Sequence, residues 1–199
     1  MRRLLLVLLL FAAVPGTANA SNVFRQVPGN PADRLAKLPI DSYQYDYAKK
    51  CLKRPQKGTV ALEAWLAKHA GGAFWGDMRC EKWGKNSASL HAEGRAIDWH
   101  LDVHNARDRA EAGRLIALFL APDKAGNTHA LARRMGIQEL IWNCKSWWSG
   151  DGGMRPYSAC YDKNGKRLKH VDETAGHMNH IHIGVNWAGA RMTTSFWAR

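Results

Sequence analysis

The chain has 199 residues, 46% of them apolar, with 29 Lys and Arg against 17 Asp and Glu and a net charge of +12. That length supports one domain with an ordinary core. Beyond the N-terminal leader no stretch is apolar enough to cross a membrane, no block of like charges forms a nucleic-acid arm, and no repeat or low-complexity tract occurs. A basic chain of this kind suits anionic partners, such as cell-wall polymers, anionic lipids or nucleic acid.

Residues 1–20 read as a removed signal peptide. Arg2 and Arg3 precede an apolar run from Leu4 to Val14, Pro15 and Gly16 break it, and Ala18-Asn19-Ala20 supplies a cleavage site. The run is too short to span a bilayer. The expected location is exported, periplasmic or extracellular. Residues 21–57 read as an irregular segment wrapping the domain, because Pro28, Pro31, Pro39 and Pro55 interrupt any long helix. The remaining residues, 58–199, read as one folded domain that carries the chemistry described below.

Thr59 to His69 reads as a helix ended by Gly71-Gly72, and Ala73 to Cys80 as a strand. Ala96 to Val103 alternates, with Ile97, Trp99, Leu101 and Val103 on one face and Asp98, His100 and Asp102 on the other, which predicts a strand with one buried face. Asn105 to Leu120 is the best helix, and Thr128 to Met135 is a shorter one with Thr128 as its cap and Gly136 as its stop. Gln138 to Trp142 is a strand. Lys145 to His177 is long, polar and rich in glycine, and reads as a functional loop. His180 to Val185 alternates again, with His180, His182 and Gly184 on one face. Helices mixed with short strands, without a βαβ rhythm, predict an α+β fold with a small antiparallel sheet.

The four cysteines, Cys51, Cys80, Cys144 and Cys160, point to disulfides in an oxidising compartment. Four cysteines allow three pairings, and Cys51–Cys80 with Cys144–Cys160 is favoured because each closes a local loop. No Cys-x-x-Cys spacing supports a cysteine metal site.

Two segments carry the chemistry: Ser89-Leu90-His91-Ala92-Glu93-Gly94-Arg95-Ala96-Ile97-Asp98 and His180-Ile181-His182. Asp98 and His182 project from two strands, and Gly94 lets the intervening loop turn so that His91 meets Asp98. Three such ligands suit zinc with its fourth position left open, the layout of a catalytic site. His100 and Asp102 share the face of Asp98 and are candidates to support the ligands. His104, His129 and His170 read as solvated, and Trp142, Trp147, Trp148 and Trp187 mainly as packing residues.

The pattern Ser-x-His-x-x-Gly-x-Ala-x-Asp followed by His-x-His resembles the signature of the zinc peptidases related to D-alanyl-D-alanine carboxypeptidases, a superfamily that also contains the hedgehog signalling domain. Ser89, His91, Gly94, Ala96 and Asp98 match the first motif, and His180 and His182 the second. The resemblance runs from about Cys51 to the C-terminus. It implies zinc held by His91, Asp98 and His182, and a peptide amide bond as the target. Many such proteins carry an Asp or Glu three residues before the last ligand as the general base. Here that position is Asn179, an amide that exchanges no proton near neutral pH. His180 is the favoured replacement, with His177, or Glu173 or Asp172 from the long loop, as alternatives. Ser89 and Arg95 are the candidate substrate contacts, Arg95 as a bidentate clamp for a carboxylate.

The expected activity is that of an exported, monomeric, zinc-dependent hydrolase acting on peptidoglycan stem peptides or cross-links. The rival expectation is a non-catalytic zinc-containing domain that binds cell wall or another ligand. A third, an exported nuclease suggested by charge and Met178-Asn179-His180, leaves the Ser89–Asp98 motif unexplained, so no nucleic-acid partner is expected.

Overall fold

A computed structural model of the chain describes residues 29–198. The expected signal peptide lies outside them. The regular elements run in chain order as α1 (Lys57–His69), β1 (Ala73–Gly76), β2 (Lys82–Gly84), β3 (Ser87–Ala88), β4 (Ala96–His100), α2 (Ala106–Leu120), α3 (Ala130–Met135), β5 (Ile137–Trp142), β6 (Lys145–Trp148), β7 (Arg155–Pro156), β8 (His180–Val185) and α4 (Trp187–Ala190). Six strands form one antiparallel sheet in the order β1-β4-β8-β5-β6-β7, and β2 pairs with β3 in a small hairpin. The fold is therefore mixed helix and sheet, with disulfides Cys51–Cys80 and Cys144–Cys160 as expected.

The alternation of the strands decides which side is the core. Ile97, Trp99, Leu140, Trp142, Trp147, Ile181 and Ile183 fall on one face, and Leu62, Leu66, Leu115, Phe119, Leu131 and Met135 of the helices pack against them. In α1, Leu62 and Leu66 are four residues apart and so share one stripe. Asn105 starts α2 by accepting from the backbone N–H groups of Arg107 and Asp108. The opposite face of the sheet carries Asp98, His182, Glu139 and Ile141, together with a smaller apolar cluster of Ala48, Ala88, Leu90, Ala92 and Ala96.

Several sequence expectations need correction. The strand expected over 73–80 ends at Gly76, and the one over 96–103 ends at His100. Asp98 is also only 6% exposed, so both faces of β4 are covered around it. Thr128 does not cap α3: the cap is His129, in the left-handed conformation and without a side-chain cap bond. His129 is buried rather than solvated, and its Nδ1 lies 2.8 Å from the Tyr43 hydroxyl. The segment 145–177 is not loop throughout, because it begins with β6, includes β7, and has a 3₁₀ turn at Ser158–Cys160. Asn143 (φ 46°) and Cys144 (φ 59°) make the tight turn joining β5 to β6.

Residues 38–56 lie over the edge of the sheet with little regular structure. Asp46 is their main anchor: its carbonyl accepts from Arg95 and Gln138, its N–H donates to Gln138, and its carboxylate accepts from the Trp187 N–H.

Candidate metal centre

β4 and β8 are neighbours, and their register places Asp98 directly opposite His182. His91 arrives from a 3₁₀ turn, Leu90–Glu93, whose first N–H groups are capped by Ser89. Gly94 ends that turn at φ 63°. A Cβ there would stand 2.6 Å from the Arg54 carbonyl oxygen, and the Gly94 carbonyl is itself held by Thr59 Oγ1 and the Gln56 N–H. Only glycine meets both demands, which is why the motif needs it between His91 and Asp98.

The three side chains converge. His91 Nε2 lies 3.0 Å from Asp98 Oδ1 and 3.1 Å from His182 Nδ1, and His182 Nδ1 lies 3.1 Å from Asp98 Oδ1. All three residues are buried, and together they can hold a metal ion. Each imidazole is oriented from behind. His91 Nδ1 faces the Asp77 carbonyl at 3.3 Å, and His182 Nε2 lies 3.0 Å from Glu139 Oε1, an ion-pair contact whose angles fall short of a hydrogen bond. With those nitrogens carrying the protons, His91 Nε2 and His182 Nδ1 are left as lone-pair donors aimed at one point.

The metal-free electrostatics show how tightly this cluster is wired. Burial pushes the Asp98 carboxyl up, but hydrogen bonds to His182 and His91 outweigh it and hold the group well below the usual carboxylate range. Burial pushes His182 down, yet Asp98 and Glu139 on either side raise it to about 9. The centre thus favours a cation between two carboxylates.

His180 and His177, the alternative bases, both stand at the edge of this triangle. His180 Nε2 is 3.4 Å from Asp98 Oδ1, and its Nδ1 is 2.8 Å from Asn179 Oδ1. The His177 ring lies tilted 4.6 Å from that of His180 and edge-on 5.6 Å from that of His182. Burial, together with the neighbouring imidazoles, lowers His177 to about 3. Burial also lowers His180, to about 4, against the pull of Asp98. Trp75, half exposed, lies against His180 at 5.1 Å.

Other expected residues lie elsewhere. Glu173 faces His104 at 3.1 Å on the surface, and Asp172 closes its own turn by accepting from the Ala175 N–H. Asp102 accepts from the His104 N–H rather than supporting a ligand. His100 is exposed, and its Nδ1 lies 2.9 Å from the Asn179 carbonyl. His170 is exposed, as expected.

Arg95 is the clearest correction. Its guanidinium is fully buried, pairs with Glu93 at 2.9 Å, and donates to the carbonyls of Val185 and Asp46. Trp187 covers it at 4.7 Å. Such an Arg locks the N-terminal segment to β8 and is closed to a substrate. Ser89, 6% exposed, spends its oxygen on the His91 turn.

Two residues went unseen in the sequence. Glu139 orients His182 and accepts from the Tyr45 hydroxyl at 2.8 Å. Its signal was an acid inside a strand whose six residues are all buried. Arg79, half exposed, approaches Asp98 Oδ2 at 3.4 Å from the solvent side. Nothing in its local pattern marked it, because Cys51–Cys80 brings it there.

Comparison with known proteins gave one match: the family model described as VldE, C-terminal domain, which covers residues 51–171. No curated protein and no solved structure matches. The matched stretch contains both disulfides, His91, Asp98 and Glu139, and ends before His177, His180 and His182.

Proposed function

The chain belongs to the VldE C-terminal domain family, and from the side chains of its candidate metal centre we propose that it is an exported zinc-dependent hydrolase of peptide amide bonds in peptidoglycan stem peptides or cross-links. The observation that carries this reading is the buried triangle of His91 Nε2, Asp98 Oδ1 and His182 Nδ1. Ligand atoms placed tetrahedrally about zinc at ~2.0 Å lie ~3.3 Å apart, close to the 3.0–3.1 Å edges here. Two imidazoles and one carboxylate are a zinc donor set that leaves a position open for chemistry. When bound there, zinc supplies a Lewis acid for the scissile carbonyl and lowers the pKa of its water towards ~7.

The chain's own groups do the rest. His180 gives its Nδ1–H to Asn179 Oδ1, which leaves the Nε2 lone pair facing the centre to take a proton from the attacking water. Asn179 then acts as a positioning residue, setting the tautomer of the base that replaces a carboxylate. His180 then returns that proton to the leaving amine, with the His177 ring packed at its side 4.6 Å away. Arg79, on the solvent side, takes the role first expected of Arg95 and holds a substrate carboxylate. The two disulfides, and the absence among the described residues of a helix long and apolar enough to cross a membrane, accord with export.

Incubation of muropeptides with the zinc-loaded protein, read by mass spectrometry, tests the proposal. Wild type is expected to release peptide fragments and His182→Ala none. Zinc-loaded wild type that cuts neither muropeptides nor free peptides refutes it. A second reading, a zinc-containing domain that binds wall without cutting it, is favoured by Asn179 at the carboxylate position. Its signature is retention on intact peptidoglycan with no soluble fragment released.

A further inference from the structure

The face of the sheet that bears the metal ligands continues into a cleft whose walls are aromatic. A hollow of about 250 Å³ is lined by Ser89 and Glu139 at the metal end and by Tyr47, Trp83, Trp148 and Tyr157 farther out. A second hollow of about 480 Å³ lies beside it, with Tyr45, Tyr47 and Trp148 lining both. Tyr157 closes the connection to the centre, since its ring lies 5.4 Å from His177.

These rings are not hidden by packing. Tyr47 is 75% exposed and Trp83 69%, both unusually open for large aromatic side chains. Tyr47 is also held in place. Tyr45 packs edge-on against Tyr47 at 4.9 Å and against Trp148 at 5.7 Å, and its hydroxyl is fixed to Glu139. Rigid, exposed aromatic faces spaced along a groove mark a binding surface rather than a core. The rim supplies hydrogen-bonding groups, Asn86 and Ser149, and a neighbouring hollow adds Lys49, Lys50 and Arg191 beside Asp46 and Glu93.

We propose that this cleft binds a saccharide chain, and that the hydrolase acts on peptides still attached to their sugars. A sugar ring has one face of polarised C–H bonds, which stacks on the electron-rich face of Tyr or Trp, and a periphery of hydroxyl and amide groups, which suits Asn86 and Ser149. Asn86 is exposed and free to meet such groups, and the Ser149 hydroxyl, which accepts from the Gln44 N–H, keeps its own proton to donate. The Lys49–Lys50 end complements carboxylates that an acidic glycan carries. The inference rests on the reading of the centre as a wall-peptide hydrolase for the statement about substrate, while the saccharide site itself stands on the cleft.

Two measurements separate the parts. The first is calorimetric binding of an N-acetylglucosamine tetramer, which contains no peptide, to wild type, Tyr47→Ala and Trp83→Ala. Binding to wild type that weakens about tenfold in each variant is expected, since each loses one stacking ring. Both side chains are exposed, so neither substitution removes a core contact. The second is KM for a disaccharide-bearing muropeptide against that of the same peptide freed of sugar. The sugar is expected to lower KM about tenfold in wild type and to give no advantage in Tyr47→Ala. No binding of the tetramer, or equal KM for both substrates with cleavage intact, overturns the cleft proposal and leaves the hydrolase reading standing. Tetramer binding without cleavage of either substrate does the reverse.

Discussion

Replacing Glu139 by Gln tests whether the metal centre is organised from behind. Glu139 Oε1 is 3.0 Å from His182 Nε2, and Oε2 accepts from Tyr45 at 2.8 Å, so the carboxylate is itself held in place. Loss of such a partner of a metal-bound imidazole costs 10–100-fold in metal affinity, or about 1.4–2.7 kcal/mol. Gln keeps the volume and an accepting oxygen and loses only the charge, so about tenfold is expected for Glu139→Gln and about a hundredfold for Glu139→Ala. Near neutral pH a second effect opposes this. Glu139 also helps raise metal-free His182 to about 9, and zinc must displace that proton. At pH 7 the competition weakens binding about a hundredfold, and removing Glu139 relieves part of it. The comparison is therefore made near pH 9, by competing zinc against a chromophoric chelator. Glu139→Gln binding zinc within about twofold of wild type there, while Asp98→Asn binds far more weakly, would refute the orienting role.

Arg95→Leu leaves the Glu93 carboxylate buried without its partner, and a loss of about 3–5 kcal/mol is expected in urea unfolding. An unfolding midpoint close to wild type would show that the pair does not hold the N-terminal segment. Gly94→Ala forces a Cβ to within 2.6 Å of the Arg54 carbonyl, so it is expected to lower the melting temperature and also weaken zinc binding, because the same turn carries His91. A melting scan and a zinc titration on the same sample check both. Metal-free protein should lose stability with rising pH. His182 is raised above its unfolded value of about 6.5, so its contribution is complete below that pH and is lost as pH climbs through about 9. The zinc-loaded protein holds His182 neutral and should not share that loss. Melting temperatures of chelator-treated protein that stay level or rise over this window would contradict it.

Much of the sheet was legible because its strands alternate. Ile97 and Trp99, and Ile181 and Ile183, separate cleanly from Asp98, His180 and His182, and a two-residue period admits one burial arrangement. The convergence of His91 and Asp98 was legible because Gly94, a residue with a geometric task, fixes the spacing between them. What escaped was long-range. Glu139 meets His182 through the β5–β8 register, which leaves no mark on either segment alone. Arg95 and Glu93 are two residues apart, and nothing local shows that they turn inward as a pair. The hairpin into β6 was missed because Asn143-Cys144 does its turning at positive φ without the glycine that usually announces such a turn. α3 starts at His129 rather than at the better capping residue Thr128, because His129 is drawn in by Tyr43 and by Trp147, whose ring is 5.3 Å away.

The two disulfides also tie the centre to the redox state of its surroundings. Cys80 anchors the stretch that sends the Asp77 carbonyl to His91 and brings Arg79 to Asp98. Cys144 gives its N–H to the Gly176 carbonyl beside His177, and its own carbonyl accepts from the Tyr157 N–H. Each crosslink thus fixes one bank of the site, and neither bank belongs to the central strands that bear Asp98 and His182. Reduction of the two crosslinks is therefore expected to loosen both banks and weaken zinc binding while Asp98 and His182 keep their strand register, and a zinc titration with and without reductant checks it.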